Sequence, residues 1–287
     1  MHSCSTLQYT FSGQNMWQFG LISSRKISPA SFIRTSQRPK PLPPSAAKVR
    51  AAVSRRRADK GSSRTNGTGV SQVTSGAFKD RFPRRSPDGK RIAFYSNRGK
   101  GSQTWIINSD GTDLQQIADF SEGALAPNWS PDGTHIAYSS NRAQGAWIFD
   151  LRQTWSPQAA VALPKFGPSG TWFEAWSWSH DGERIAGTRL STSGLLSGIV
   201  VYDLRTHKYD QLTDFGNSPV WLKDNRRVLF YREDKLYLVD SVTRKTQLVL
   251  SVAPYHITWT ISVAPDDGTI YFSLVMDEAD IWLAKLE

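Results

Sequence analysis

Residues 129–142 read WSPDGTHIAYSSNR, and residues 86–98 read SPDGKRIAFYSNR. Alone, Pro-Asp-Gly followed by Ser-Asn-Arg has the look of a catalytic or ion-binding loop. Repetition changes that reading, because a structural unit is written as often as it is stacked. The tetrapeptide returns worn, as SHDG at 179–182, as LKDN at 222–225 and within APDDG at 264–268. The anchoring residues Asp88, Asp132, Asp181, Asp224 and Asp266 are 44, 49, 43 and 42 residues apart. A period of roughly 40–45 residues with tryptophan and Asp-Gly punctuation belongs to four-stranded propeller blades.

Each copy divides the same way. In the three middle copies a short strand ends in tryptophan just before the turn, at Trp129, Trp178 and Trp221. Aspartate bonds nearby backbone N–H groups and glycine tolerates positive φ, so Asp-Gly makes a tight turn. A second strand follows (RIAFYS, HIAYSS, RIAGTR, RVLFYR, TIYFSL), then a third (TWIIN, AWIFD, IVVYD, LYLVD, DIWLA). These runs are almost continuously apolar, as strands buried on both faces must be. The third strand tends to end in Asp or Asn before a polar outer strand such as DLQQIA or YDQLTD. No amphipathic helix is evident. The fold class expected is all-β, a propeller of four-stranded blades with about five blades visible.

The pattern W-S-P-D-G-x-x-I-A-(F/Y)-x-S-N-R, followed by I-W-(I/V) and Q-(L/I)-T, resembles the TolB-like, WD-like β-propeller repeat. It is similar to blades preceding the hydrolase domain of prolyl oligopeptidase relatives and to propeller sensors fused to bacterial kinases or winged-helix regulators. The resemblance covers about residues 66–287 and is strongest at 82–150. It implies a non-catalytic module that binds a protein or peptide, in a periplasmic or extracytoplasmic setting. Departures stand out: Arg85 replaces the expected tryptophan, His180 the proline, and the fourth copy has lost both proline and glycine. The alternative function is a propeller-type hydrolase or lyase fragment without its catalytic part.

Ring closure has two readings. The last copy supplies three strands, and residues 69–74, GVSQVT, look like an orphan outer strand. Pairing them with the last blade closes a five-blade ring. Alternatively, the chain is a truncated ring of six or more blades.

Charge separates the chain into two parts. The sequence carries +10 at neutral pH. Residues 1–64 contain 12 of the 35 basic residues and only one of the 25 acidic ones, Asp59. Residues 65–287 are therefore close to neutral, which argues against a nucleic-acid-binding body. The tail is rich in Pro, Ser, Ala and Arg and is expected to be disordered. It offers nucleic acid at most a weak contact through SRRR at 54–57. It shows no uninterrupted apolar stretch of the kind a secretory signal needs, and no segment approaches the ~18 apolar residues of a membrane span. Cys4 is the sole cysteine, so no intramolecular disulfide forms.

Catalytic constellations are missing from the sequence. There is no G-x-S-x-G elbow and no kinase motif. His2, His135, His180, His207 and His256 have no metal-ligand spacing. The expectation is no enzyme, no cofactor, no metal and a monomer. Asp88 and Asp132 read as turn caps rather than cation ligands. Candidate partner-binding residues come from what fails to repeat. Residues 152–176 form a long insertion holding Trp155, Phe166, Trp172 and Phe173, where aromatics either anchor a partner or cap a blade edge. Arg98 and Arg142 follow the second strand at equivalent places. Each either binds a carboxylate or, the favoured reading, makes an ion pair within its blade.

Overall fold

In a computed structural model, residues 71–276 are described except 119–122, 141–143, 155, 157–158, 193–197 and 265. Before residue 71, only the strand backbones of β1 (Ser3–Ser12), β2 (Met16–Gly20), β3 (Arg50–Val53) and β4 (Gly61–Ser62) are described. The described chain is all β. After β5 (Ser71–Gln72), blade 1 comprises β6 (Arg81–Arg85), β7 (Arg91–Gly99), β8 (Gly101–Asn108) and β9 (Gln115–Gln116). Blade 2 comprises β10 (Leu125–Trp129), β11 (His135–Ser140), β12 (Gly145–Asp150) and β13 (Ala160–Ala162). Blade 3 comprises β14 (Thr171–Trp178), β15 (Arg184–Ser191), β16 (Ile199–Asp203) and β17 (Lys208–Gln211). Blade 4 comprises β18 (Asn217–Trp221), β19 (Arg227–Arg232), β20 (Lys235–Asp240) and β21 (Thr246–Ser251). Blade 5 begins with β22 (His256–Val263) and β23 (Thr269–Met276). All neighbours within a blade are antiparallel, and the protein is a five-blade propeller, as the repeat count requires.

The strands are doubly apolar because alternate residues serve different neighbours. On β11, Ile136 and Tyr138 pack with Ala93 and Ile106 of blade 1, while Ala137 packs with Phe173 and Ile185 of blade 3. Ala186, next to Ile185, faces the other way into Trp221, Val228 and Phe230 of blade 4. Leu229 and Tyr231 repeat the device against Ile261, Ile270 and Phe272 of blade 5. Among the described residues the core lies in four interfaces between successive blades, each filled by side chains from several strands of both blades.

The Asp-Gly turns are built from side-chain hydrogen bonds. Ser130 Oγ donates to Asp132 Oδ1 at 2.5 Å, and the same oxygen accepts the Thr134 amide at 3.0 Å. Blades 1 and 3 repeat this with Ser86–Asp88–Lys90 and Ser179–Asp181–Glu183. Donation from Ser130 and Thr134 holds the Asp132 carboxyl at a pKa of about 2. A depressed carboxyl stabilises the fold above its unfolded pKa and loses that contribution as pH falls through the folded value. Asp132→Ala is expected to lower stability at neutral pH by about 1 kcal/mol, because water replaces part of what an exposed turn loses. Acid titration of the variant followed by circular dichroism should show a shallower loss below pH 4.

Closure of blade 5 differs from the expectation. Residues 69–70 lie outside the described residues, and Ser71–Gln72 pairs with β4 in a separate two-stranded ribbon. Beside β23 the structure places β1, in register from Ser3 opposite Met276 to Thr10 opposite Thr269, and β2 beside β1. The third-strand segment 280–284 lies outside the described residues. The period-2 spacing of Leu7, Tyr9 and Phe11 accounts for a strand where a structureless tail was expected; apart from β1–β4, residues 1–64 lie outside the described residues.

Candidate functional site

Every blade's inner strand carries a β-bulge shortly before its turn. The register shifts between Arg81 and Arg84, Leu125 and Asn128, Ala175 and Ser177, Asn217 and Val220, and Thr258 and Ile261. In blades 1, 2 and 4 the bulge places Phe82, Ala126 and Ser218 at φ near +50°. A bulge re-aims the side chains after it. Here the re-aimed residues Arg84, Asn128, Ser177 and Val220, joined by Ser262 of blade 5, line one central cavity of about 900 Å³ on the face bearing the Asp-Gly turns.

The wall is aromatic. Trp129, Trp176, Trp178 and Trp221 all contribute to it. Three of these are the inner-strand tryptophans of the repeat, stacked between blades: the Arg91 guanidinium lies 4.8 Å over Trp129 and that of Arg184 lies 4.6 Å over Trp221. Trp176 is different, standing where Pro83, Pro127 and Pro219 stand in other blades. It packs on Phe82 of blade 1, with ring centroids 5.5 Å apart, and Phe82 stacks on Tyr95 at the same distance. Trp176 lines the cavity, backed by these two rings.

Polar groups on the wall are mostly committed elsewhere. Asn128 Nδ2 donates to the Ala126 and Ala175 carbonyls at 2.6 and 3.1 Å. Ser177 Oγ accepts the Trp221 amide at 3.1 Å. Arg84 differs: its carbonyl accepts from Trp129 Nε1 at 2.9 Å, but its guanidinium has no acceptor among the described residues. Glu174 accepts from Trp176 Nε1 at 3.1 Å, and burial pushes its pKa up to about 7. The folded pKa is raised, so the protonated carboxyl is the favoured form. Its contribution is complete below the unfolded value near 4.5 and is lost as pH rises through 7. Glu174→Gln is expected to flatten the melting temperature between pH 4.5 and 8, where the parent protein should decline.

The residues singled out in the sequence fall elsewhere. Arg98 is buried against Asp80, with Nη2 2.5 Å from Oδ2 and side chains 9% and 3% exposed, and its guanidinium covers Phe78 and Phe94. This is the ion pair within the blade that the sequence favoured. Phe173 is 2% and Trp172 9% exposed. Phe166 packs on Tyr209 at 4.9 Å, and Tyr209 Oη donates to the Pro164 carbonyl at 2.7 Å. The insertion is thereby stapled to blade 3, so these three aromatics are core and edge cap rather than a displayed surface. Trp155 and Arg142 lie outside the described residues. Asp88, Asp132 and Asp181 are turn caps. Among the described residues no three His, Cys, Asp or Glu side chains gather as a metal site. Sequence reasoning passed over Arg84, Glu174 and Trp176. Aligning the copies flags Trp176, which interrupts a column of Pro83, Pro127 and Pro219, and shows Arg84 as the charged member of a column otherwise holding Asn128, Ser177, Val220 and Ser262.

Comparison with known proteins agrees with the geometry. The TolB beta propeller domain family matches residues 64–258. The putative TolB of Agrobacterium tumefaciens superposes with a TM-score of 0.68 at 13% identity, covering 97% of this chain and 100% of its own. TolB of Acinetobacter baumannii gives 0.55 at 16% identity, covering 81% of this chain and 60% of its own. An oligogalacturonate lyase in complex with manganese gives 0.53 at 13% identity over 77% and 67%. At such identities these structures share the fold. Among curated proteins, none matches the chain. Matched over well more than half its length, and carrying the turn, bulge and inter-blade tryptophans in register, the chain belongs to the TolB β-propeller family.

Proposed function

We propose that the protein is a non-catalytic binding module that receives a peptide segment of a protein partner in its central cavity. The observation that carries this reading is the convergence of all five inner strands on one cavity of about 900 Å³ with four tryptophans in its wall. Trp129, Trp176 and Trp221 are buried (8%, 5% and 2% exposed) and Trp178 is half-buried, so they brace the wall rather than display their faces, and a concave mouth of this size suits an extended segment. Rings of blades hold such a mouth rigid, so little ordering energy is lost on binding. The aspartates nearest the mouth are spent on their own turns, which leaves recognition, rather than proton transfer, as the work of this wall. The reading places the partner at the turn face and not at the outer strands. It keeps the expectation of no cofactor.

The test uses peptides selected by display against the full chain. Ser262→Trp fills the cavity from blade 5, and Leu248→Trp adds bulk on the outer strand β21, where Leu248 is 51% exposed. Binding should disappear in the first variant and persist in the second. Persistence in the cavity-filled variant, with loss in the outer one, would refute the assignment.

A further inference from the structure

We propose that Arg84 is an anion receptor in the cavity wall and that the bound peptide presents a carboxylate to it. This deepens, and rests on, the binding role proposed above. The bulge of β6 turns Arg84 into the cavity at the place where the other blades carry Asn128, Ser177, Val220 and Ser262. Each of those residues is neutral, and Asn128 and Ser177 are tied to the protein backbone. Arg84 alone brings a charge to this ring of positions, and no carboxylate or carbonyl among the described residues takes its donors.

A guanidinium carries five N–H donors in a planar fork. In the half-buried wall these donors face the open cavity, and none of them is a buried atom without a partner, so water meets them in the free protein. Burial lowers the Arg84 pKa to about 10, so the group remains a cation at neutral pH. A carboxylate entering the cavity can displace that water and engage two donors at once. The other cations of the lining belong to the turns: Arg85 donates to the Gly89 carbonyl at 2.9 Å and Lys223 is exposed. The neighbouring acids do not neutralise Arg84, since Asp88 is held by Ser86 and Lys90 of its own turn and Asp267 by the Lys223 amide.

The test titrates the full chain with hexapeptides of alternating leucine and glutamate, and with their leucine–glutamine counterparts, each made with free and amidated C-termini. The tryptophans of the wall report binding by fluorescence, as the peptides contain none. The glutamate peptides should bind and the amidated glutamine peptide should not. Binding of the glutamine peptide only when its C-terminus is free would identify a terminal carboxylate as the group received. Arg84→Met should weaken binding by about thirtyfold or more, as for loss of one member of a buried charge pair, with Arg84→Lys in between. Equal affinity of acidic and amide peptides, or unchanged affinity in Arg84→Met, would each overturn the receptor role and leave the cavity reading standing. Failure of every peptide to bind would overturn both.

Discussion

Trp221→Ala is expected to remove about 3–5 kcal/mol of folding stability, the usual cost of emptying a buried tryptophan site. Trp221 is 2% exposed and is packed by Ala186, Ile199 and Val201 of blade 3 and by Val228 and Phe230 of its own blade. Its outer face is covered by the Arg184 guanidinium at 4.6 Å, and its backbone amide donates to Ser177 of blade 3. Truncation therefore opens an interface between two blades as well as a cavity. Domains are stable by only about 5–15 kcal/mol, so the loss is a large share of the whole. Urea unfolding should show the midpoint displaced at an unchanged slope. Trp221→Phe should retain much of the packing. A loss below about 1 kcal/mol for the alanine variant would mean that the blades do not lean on this residue.

The second large effect is expected at Arg98. Arg98→Met leaves Asp80 inside the protein with no cation, and breaking a buried pair from one side costs about 3–5 kcal/mol. Asp80 is 3% exposed at its side chain, and its second oxygen, Oδ1, already lacks a hydrogen-bond partner. Arg98 also loses its hydrogen bond to Ser96 Oγ at 3.0 Å and its stack on Phe78. Converting both members, Arg98→Met with Asp80→Leu, should recover most of the loss, because the apolar pair carries no desolvation cost. A double-mutant cycle in urea reads the coupling. Additive single losses would show that the two residues act independently and that the ion pair contributes nothing of its own.

The blade architecture was legible because its signals are local. Asp132 and Gly133 specify a turn by their own chemistry, and Ile136, Ala137 and Tyr138 announce burial on both faces by being apolar in succession. Strand β11 was read from residue 135 to 140 as the structure has it. Trp129, Trp178 and Trp221 were read as the ends of inner strands just before the turn, as the structure has them. The site was less legible because it depends on the register of five distant strands. Arg84 looked like one cation among many. Its meaning comes from a bulge that turns it toward Asn128, Ser177 and Trp176, residues far along the chain. Phe173 and Trp172 lie in an insertion whose aromatics read equally as partner anchors or as a blade-edge cap, and only the tertiary contacts of Tyr209 and Pro164, which fasten it into blade 3, tell the two apart. The part played by β1 was missed because three alternating apolar residues were outweighed by the basic, proline-rich composition around them.

The central claim is that the cavity on the turn face is where the partner binds. A photo-reactive side chain at His180, exposed at the cavity mouth, and another at Val161 on β13, 66% exposed on the outer side of blade 2, test it on one selected peptide. The account predicts a cross-link from position 180, competed by excess unlabelled peptide, and none from position 161. A competed cross-link from position 161 with none from position 180 would contradict it.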